Sequence, residues 1–200
     1  MFWFENDIRA LENLAEKEDS KGKHIFYGSS SIRLWDALAS DFPMAEPLNL
    51  GFSGFTLAAC AWYFHRMVLP FQPKSIVLYG GDNDLGEERH PEEVFLFFQQ
   101  LVTLVRKNIG TIPIAFIAIK PSRVRWNINE RIIYTNEIIK KEIEIENPGL
   151  FFIDIYQKML NEHNYPETEY YLENGLHLSR KGYEVWRDEI LKYEKELFVE

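Results

Sequence analysis

The chain has 200 residues, a length that suits one compact α/β domain and is short for two. Hydrophobic residues make up 46% of the chain and charged residues 26%, which supports a sizeable core and argues against disorder. The formal net charge of −9 argues against nucleic acids and anionic membranes as general partners, because they carry charge of the same sign. The single cysteine, Cys60, excludes an internal disulfide framework and a multi-cysteine metal site.

Residues 1–20 predict an extra N-terminal helix and not a targeting signal. Phe4, Ile8 and Leu11 recur at helical spacing, and the segment is acidic where a signal peptide would begin with basic residues. No apolar run in the chain approaches the length of about 18 residues that spans a membrane. We therefore expect a cytoplasmic protein with a single domain over residues 1–200.

Five short runs are almost continuously apolar, which is typical of strands buried on both faces of a parallel sheet. They are His24–Ser29, Pro47–Phe52, Ser75–Gly80, Ile112–Ile119 and Leu150–Tyr156. Segments of helical period lie between and after them, at Ser31–Asp41, Thr56–Leu69, Pro91–Lys107, Asn127–Glu146 and Ser179–Leu197. This alternation predicts a three-layer α/β/α sandwich around a five-stranded parallel sheet.

Four residues that suit acyl transfer follow the predicted strands, where an α/β sheet forms its ligand crevice. Acyl transfer needs a hydroxyl nucleophile, an imidazole to take its proton and donors for the developing oxyanion. Ser30 follows the first strand, Gly54 the second and Asn83 the third, while His177 lies just before the last helix. The pattern predicts Ser30 as nucleophile, His177 as general base and backbone or amide donors from the other two loops.

Each of these residues also has a purely structural interpretation. Ser30 is a preferred type for a helix N-cap, Gly54 permits a tight turn and Asn83 is a common turn residue. His177 taken alone would more often be a structural histidine than a catalyst. The enzymatic interpretation depends on all four occurring in order at strand ends.

The same segments resemble the SGNH, or GDSL-type, hydrolases, a family named for blocks containing Ser, Gly, Asn and His. The matching segments are residues 27–32, 49–54, 81–84 and 174–177, and residues 28–35 (GSSSIRLW) resemble one bacterial branch of the family. The resemblance implies a flavodoxin-like sandwich and esterase activity. It also implies an oxyanion hole from the N–H groups of Ser30 and Gly54 and the side chain of Asn83.

Position 174 departs from the family pattern, which usually has aspartate three residues before the histidine. The oxygen of Asn174 can accept a hydrogen bond from the His177 ring, whereas its NH₂ group facing the ring would hold the wrong tautomer. Three outcomes are therefore open. Asn174 or a backbone carbonyl orients the His177 ring, Glu173 orients it instead, or the protein is a weak or inactive relative. The dipeptide Asn174-Gly175 also predicts deamidation, because glycine does not hinder attack of its N–H on the asparagine side chain.

A basic and aromatic group follows the fourth predicted strand, with Lys120, Arg123, Arg125 and Trp126. A solvated loop is one interpretation. The other is a wall of Arg123, Arg125 and Trp126 that lines the substrate and binds a polar or anionic leaving group. The remaining histidines lack metal-ligand spacing, so we expect neither a metal nor a cofactor.

Three functions from different classes are compatible with the sequence. The first is a serine esterase that hydrolyses a small molecule carrying an acetyl or other short acyl group, or transfers that group to an alcohol. The second is a binding protein of the same fold in which Asn174 has abolished turnover. The third is a nucleotide binder whose residues 29–31 hold a phosphate at a helix N-terminus, but it leaves Asn83 and His177 unexplained.

Overall fold

The computed structural model describes residues 4–17, 20–146 and 148–198. Its central sheet has five strands, β1 (His24–Gly28), β2 (Leu48–Gly51), β3 (Ser75–Tyr79), β4 (Ile114–Ile117) and β5 (Leu150–Ile153). Their order across the sheet is β2-β1-β3-β4-β5, and every neighbouring pair is parallel. The predicted five-stranded parallel sheet is therefore confirmed.

Helices on both faces of the sheet complete the predicted three-layer α/β/α sandwich. They are α1 (Glu5–Ala15), α2 (Ser30–Arg33), α3 (Leu38–Asp41), α4 (Leu57–Met67), α5 (Asp82–Gly86), α6 (Pro91–Asn108), α7 (Asn129–Glu146), α8 (Arg180–Leu191) and α9 (Glu194–Leu197). Helix α1 occupies part of the predicted N-terminal helix, and residues 1–3 and 18–19 of that prediction lie outside the described residues. None of the described helices is both long and apolar enough to cross a membrane.

All five predicted strands extend beyond the strands that form, and two of them do so by more than one residue at an end. The apolar run Ile112–Ile119 contains β4, but Ile119 is buried outside the ladder and its N–H donates to the side chain of Asn136. The run Leu150–Tyr156 similarly continues past β5, and Ile155 is fully buried there. These predictions were wrong at their ends because apolar runs report burial, whereas strand pairing also needs a neighbouring backbone.

The predicted helix at Ser31–Asp41 is divided into α2 and α3. Trp35 lies between the two helices, is almost completely buried and donates from its indole nitrogen to Asp41. Asp41 also accepts two hydrogen bonds of 2.6 Å from Arg180 at the start of α8. This cluster joins the segment after β1 to the helix that follows His177.

Candidate active site

Ser30 lies at the carboxyl end of β1, as its position in the sequence predicts. Gly28 ends that strand with φ of 139°, and a β-carbon there would lie 1.8 Å from the carbonyl oxygen of Tyr79. The chain then turns into α2, with Ser29 at the N-cap and Ser30 as the first helical residue. The backbone N–H of Ser30 therefore belongs to the first turn, where N–H groups lack an intrahelical acceptor.

His177 faces Ser30 across the sheet edge. Its Nε2 atom lies 3.2 Å from Ser30 Oγ, although 147 positions separate the two residues in the chain. A turn carries the histidine, and the N–H of Leu172 donates to the carbonyl of His177 across that turn. The predicted nucleophile and base are thus within hydrogen-bonding distance of each other.

The amide of Asn174 contacts the other side of the imidazole ring. Its Oδ1 atom accepts hydrogen bonds of 3.0 Å from the backbone N–H groups of both Leu176 and His177. Its Nδ2 atom lies 2.9 Å from Nδ1 of His177. Because two backbone donors hold the oxygen, the NH₂ group must face the ring, and Nδ1 must accept.

This contact determines the tautomer of neutral His177. A ring nitrogen that accepts a hydrogen bond carries no proton, so the proton lies on Nε2, the atom that faces Ser30. Burial lowers the pKa of His177, and the nearby positive charges of Lys120 and Arg125 lower it further, against the opposing effect of Asp82. Neutral His177 in this geometry donates to Ser30 Oγ. To accept the hydroxyl proton, the ring must first adopt the other tautomer, with its proton on Nδ1.

Two other hypotheses concerned the same turn. Asn174 occupies the Nδ1 side of the ring, which Glu173 would need in order to orient His177, and Glu173 is solvent-exposed. The N–H of Gly175 donates to the carbonyl of Leu172 over 2.9 Å. This hydrogen bond engages the nitrogen that deamidation of Asn174 requires as its nucleophile.

Asn83 lies in the first turn of α5, directly after β3. Its Nδ2 atom donates to the carbonyl of Phe55 over 3.0 Å, and its Oδ1 atom accepts from Nη2 of Arg125 over 2.8 Å. The first bond joins the Asn83 loop to the turn that contains Gly54, whose φ is 71°. An amide NH₂ has two hydrogens, so one remains for a ligand after the bond to Phe55.

Asp84 connects the same two loops, those of Gly54 and Asn83, through buried hydrogen bonds. Its carboxylate accepts from the N–H groups of Leu57, at 2.8 Å, and Ala58, at 3.4 Å, at the start of α4. Burial raises the pKa of Asp84 to about 6 against the opposing effect of these N–H donors. Asp84 therefore acts as a buried cap that ties the loop of Gly54 to the loop of Asn83.

A buried group of charges lies beside Asn83. The ammonium of Lys120 contacts Tyr79 Oη at 3.0 Å and Asp82 Oδ2 at 3.2 Å, and Nη1 of Arg125 also lies 3.2 Å from Asp82 Oδ2. Burial favours the protonated form of Asp82, but the two cations outweigh it and lower the pKa of that carboxyl. The sequence indicated a basic group containing Lys120 and Arg125, but their pairing with Asp82 was missed.

The three predicted substrate-lining residues have different surroundings. Arg125 is bound to Asn83 and Asp82, as described above. Arg123 packs against Gly175, where a β-carbon would lie 3.2 Å from its Nε atom, and Trp126 packs edge-on against Tyr165. Contact with a substrate stays a prediction for all three residues.

The model of the GDSL-like lipase/acylhydrolase family matches residues 22–185, which include all four predicted blocks. The chain belongs to the GDSL-like lipase/acylhydrolase family. Membership places the protein among the carboxylic ester hydrolases. No curated protein matches the chain.

Solved structures of similar fold include relatives of low sequence identity. A Streptococcus pneumonia protein whose description refers to platelet activating factor has a TM-score of 0.84 and 18% identity, covering 94% of this chain and 91% of that one. A GDSL-like lipase from Bacteroides thetaiotaomicron has a TM-score of 0.75 and 20% identity, covering 94% of both chains. An acetyl-xylooligosaccharide esterase mutant from Geobacillus Stearmophilus has a TM-score of 0.65 and 13% identity, covering 86% and 94%. These similarities support the fold.

Within the described residues, no three His, Cys, Asp or Glu side chains are grouped so that they could hold a metal ion.

Proposed function

We propose that the protein is a serine esterase that hydrolyses small molecules carrying an acetyl or other short acyl group. The observation that carries this proposal is the 3.2 Å contact between Ser30 Oγ and His177 Nε2 at the sheet edge, beside Asn83. Family membership supports ester hydrolysis, and the two residues are the nucleophile and base that this chemistry requires. A similar fold in an acetyl-xylooligosaccharide esterase is compatible with a short acyl group.

The reaction begins when Ser30 Oγ attacks the ester carbonyl carbon and its proton passes to Nε2 of His177. The oxyanion that forms accepts hydrogen bonds from the N–H groups of Ser30 and Gly54 and from the free amide hydrogen of Asn83. Collapse of the intermediate breaks the ester C–O bond, and the leaving alcohol takes the proton from Nε2. Ser30 then carries the acyl group.

Water completes the cycle by attacking the acyl carbon while His177 Nε2 takes a proton from it. Ser30 Oγ leaves with that proton, and the carboxylic acid is released. An alcohol in place of water would transfer the acyl group, so product analysis in the presence of a second alcohol separates hydrolysis from transfer. In both steps His177 must accept at Nε2, which requires its proton on Nδ1.

The test is turnover of p-nitrophenyl acetate together with labelling by a fluorophosphonate. We expect Ser30→Ala to abolish both, and we expect peptide mapping to locate the label on Ser30 in the parent protein. Ser40→Ala is the matched control, because that exposed serine only donates to a carbonyl of its own helix region. Ser30→Ala with the turnover and labelling of the parent would exclude Ser30 as the nucleophile.

A further inference from the structure

The direction of the hydrogen bond between His177 and Ser30 has a consequence for binding, and this inference rests on the proposed function. We propose that Asn174 holds His177 in the Nε2–H tautomer, so that the resting site binds the short-chain carboxylate released by ester hydrolysis and turns esters over slowly.

In the Nε2–H tautomer of His177, the hydroxyl hydrogen of Ser30 is free to bind a ligand. When Nε2–H of His177 donates to Ser30 Oγ across 3.2 Å, the hydroxyl hydrogen is not directed at the ring. That hydrogen is then available to a ligand in the crevice. In the opposite tautomer it would point at Nε2, and the ring would offer a lone pair.

The polar and charged groups around the crevice also bear on which ligand it binds. Asn83 offers one further amide hydrogen, because Phe55 accepts the other. Among the charges that act on the imidazole ring, those of Lys120 and Arg125 are positive and that of Asp82 is negative. The polar hydrogens and the local net charge both favour an anionic ligand, although the whole chain carries −9.

A carboxylate is the anion that fits the hydrogen-bond donors of this crevice. An ionised carboxylate has two acceptor oxygens and no donor, which complements a site whose hydrogens point outward. Ester hydrolysis at Ser30 would leave such a group in this place, as the acid product. The resting tautomer therefore stabilises the product complex.

The same tautomer opposes turnover. To accept the proton of Ser30, His177 must carry its other proton on Nδ1, where it would face the NH₂ group of Asn174 at 2.9 Å. Two donors would then oppose each other. Rotating the amide would only exchange this conflict for another, because Oδ1 would leave the N–H groups of Leu176 and His177.

Asn174→Asp should reverse both consequences, since a carboxylate can accept from Nδ1–H of His177 with one oxygen and from the backbone N–H groups with the other. In serine proteases the reverse change lowers kcat about 10⁴-fold, so we expect Asn174→Asp to raise kcat for p-nitrophenyl acetate by at least about 10²-fold. The hydroxyl hydrogen of Ser30 would then point at Nε2 and no longer at the ligand, so the inhibition constant of acetate should rise about tenfold. Both are measured well above the pKa of histidine.

Two further variants and one spectroscopic measurement accompany the test of Asn174→Asp. Asn164→Asp, the same change of charge in an exposed loop, should alter neither constant. Asn174→Ala removes the opposing donor without adding charge, and should weaken acetate binding with a smaller gain in kcat. Nitrogen NMR of the parent protein should find the His177 proton on Nε2, a measurement that needs no variant to fold.

The inference is overturned if Asn174→Asp is no faster than the parent, if it binds acetate as tightly, or if the NMR places the proton on Nδ1. Its failure is distinct from that of the proposed function, which is tested by adding Ser30→Ala to Asn174→Asp. If that double variant retains the turnover of Asn174→Asp, Ser30 is not the nucleophile. If it is inactive while Asn174→Asp only matches the parent, the esterase proposal stands and the role of Asn174 is wrong.

Discussion

Around Asn83, the side chains at the sheet edge are buried or partly buried, and hydrogen bonds and ion pairs join them to two other loops. Around His177, the corresponding residues form an exposed turn, and one asparagine amide contacts the outer side of the ring. In the region around Asn83, contacts between buried and partly buried side chains hold the amide donor in place. The region around His177 sets the position of a proton through a single side chain.

This difference indicates which properties can change independently. Altering the Asn83 region should affect both folding and the proposed oxyanion stabilisation, because Asp84 and Arg125 connect the Asn83 loop to its neighbours through hydrogen bonds. Altering the His177 turn should change proton transfer and leave stability nearly intact, because exposed substitutions away from buried networks usually have small effects. The predictions below test this separation.

Removal of the amide of Asn83 should have the largest effect among them. Asn83→Ala should lower kcat about 10²-fold, the usual loss for one oxyanion donor. Steady-state kinetics with p-nitrophenyl acetate measure it, and Asn108→Ala, at an exposed asparagine that bonds only within its own helix, is the control. A loss no larger than that of the control would exclude Asn83 from the oxyanion site.

Asp84 should make the stability of the buried region depend on pH. Its pKa of about 6 lies above the ordinary value of 3.8, so the folded protein takes up a proton before the unfolded chain does. The free energy of unfolding should therefore rise by about 2 kcal/mol relative to Asp84→Asn as the pH falls from about 7 to about 4. Urea unfolding of both proteins across this range measures it, and a constant difference would contradict the prediction.

Variants of Arg125 and Arg123 should distinguish a residue that positions Asn83 from a residue that contacts the substrate. Arg125→Leu frees the oxygen of Asn83 and should lower kcat about tenfold with little change in KM, as for loss of one charge-assisted hydrogen bond. Arg123→Leu is its matched partner and should raise KM for esters with an anionic leaving group if that residue lines the substrate. An Arg125→Leu variant changed only in KM would show that Arg125 binds substrate instead.

The pH dependence of turnover should report the environment of His177. The base must be neutral, and burial with Lys120 and Arg125 lowers its pKa, so kcat/KM should fall only below pH 6.5, the ordinary value. Asn174→Asp places a carboxylate beside the ring and should move this acid limb to higher pH. An unchanged limb in that variant would indicate that position 174 does not interact with the titrating group.

The smallest effect is expected for deamidation of Asn174 during storage of the folded protein. Because the N–H of Gly175 is bonded to Leu172, the folded protein should keep Asn174 intact, while the unfolded chain deamidates there. Peptide mass spectrometry after parallel incubation in buffer and in urea compares the two states. Equal conversion to aspartate in both would contradict the protection inferred from this bond.

Much of the fold and of the site arrangement could be predicted from the sequence. Continuous apolar runs determine that the strands are buried on both faces, and buried strands separated by helices pair in parallel. Parallel strands bring their carboxyl ends to one edge, so Ser30, Gly54 and Asn83, which follow three of the predicted strands, were expected there, whereas only the fold shows that those three strands are neighbours. The resemblance to the SGNH hydrolases then predicted that His177, which follows no strand directly, meets Ser30 at that edge.

Only the tertiary structure decided how those groups are oriented. The sequence left open which end of the Asn174 amide faces the ring, because that depends on the backbone N–H groups of Leu176 and His177 in three dimensions. The bond from Arg125 to Asn83 likewise joins residues 42 positions apart. Residue identity determines which hydrogens and lone pairs exist, whereas the folded backbone determines the direction in which each of them points.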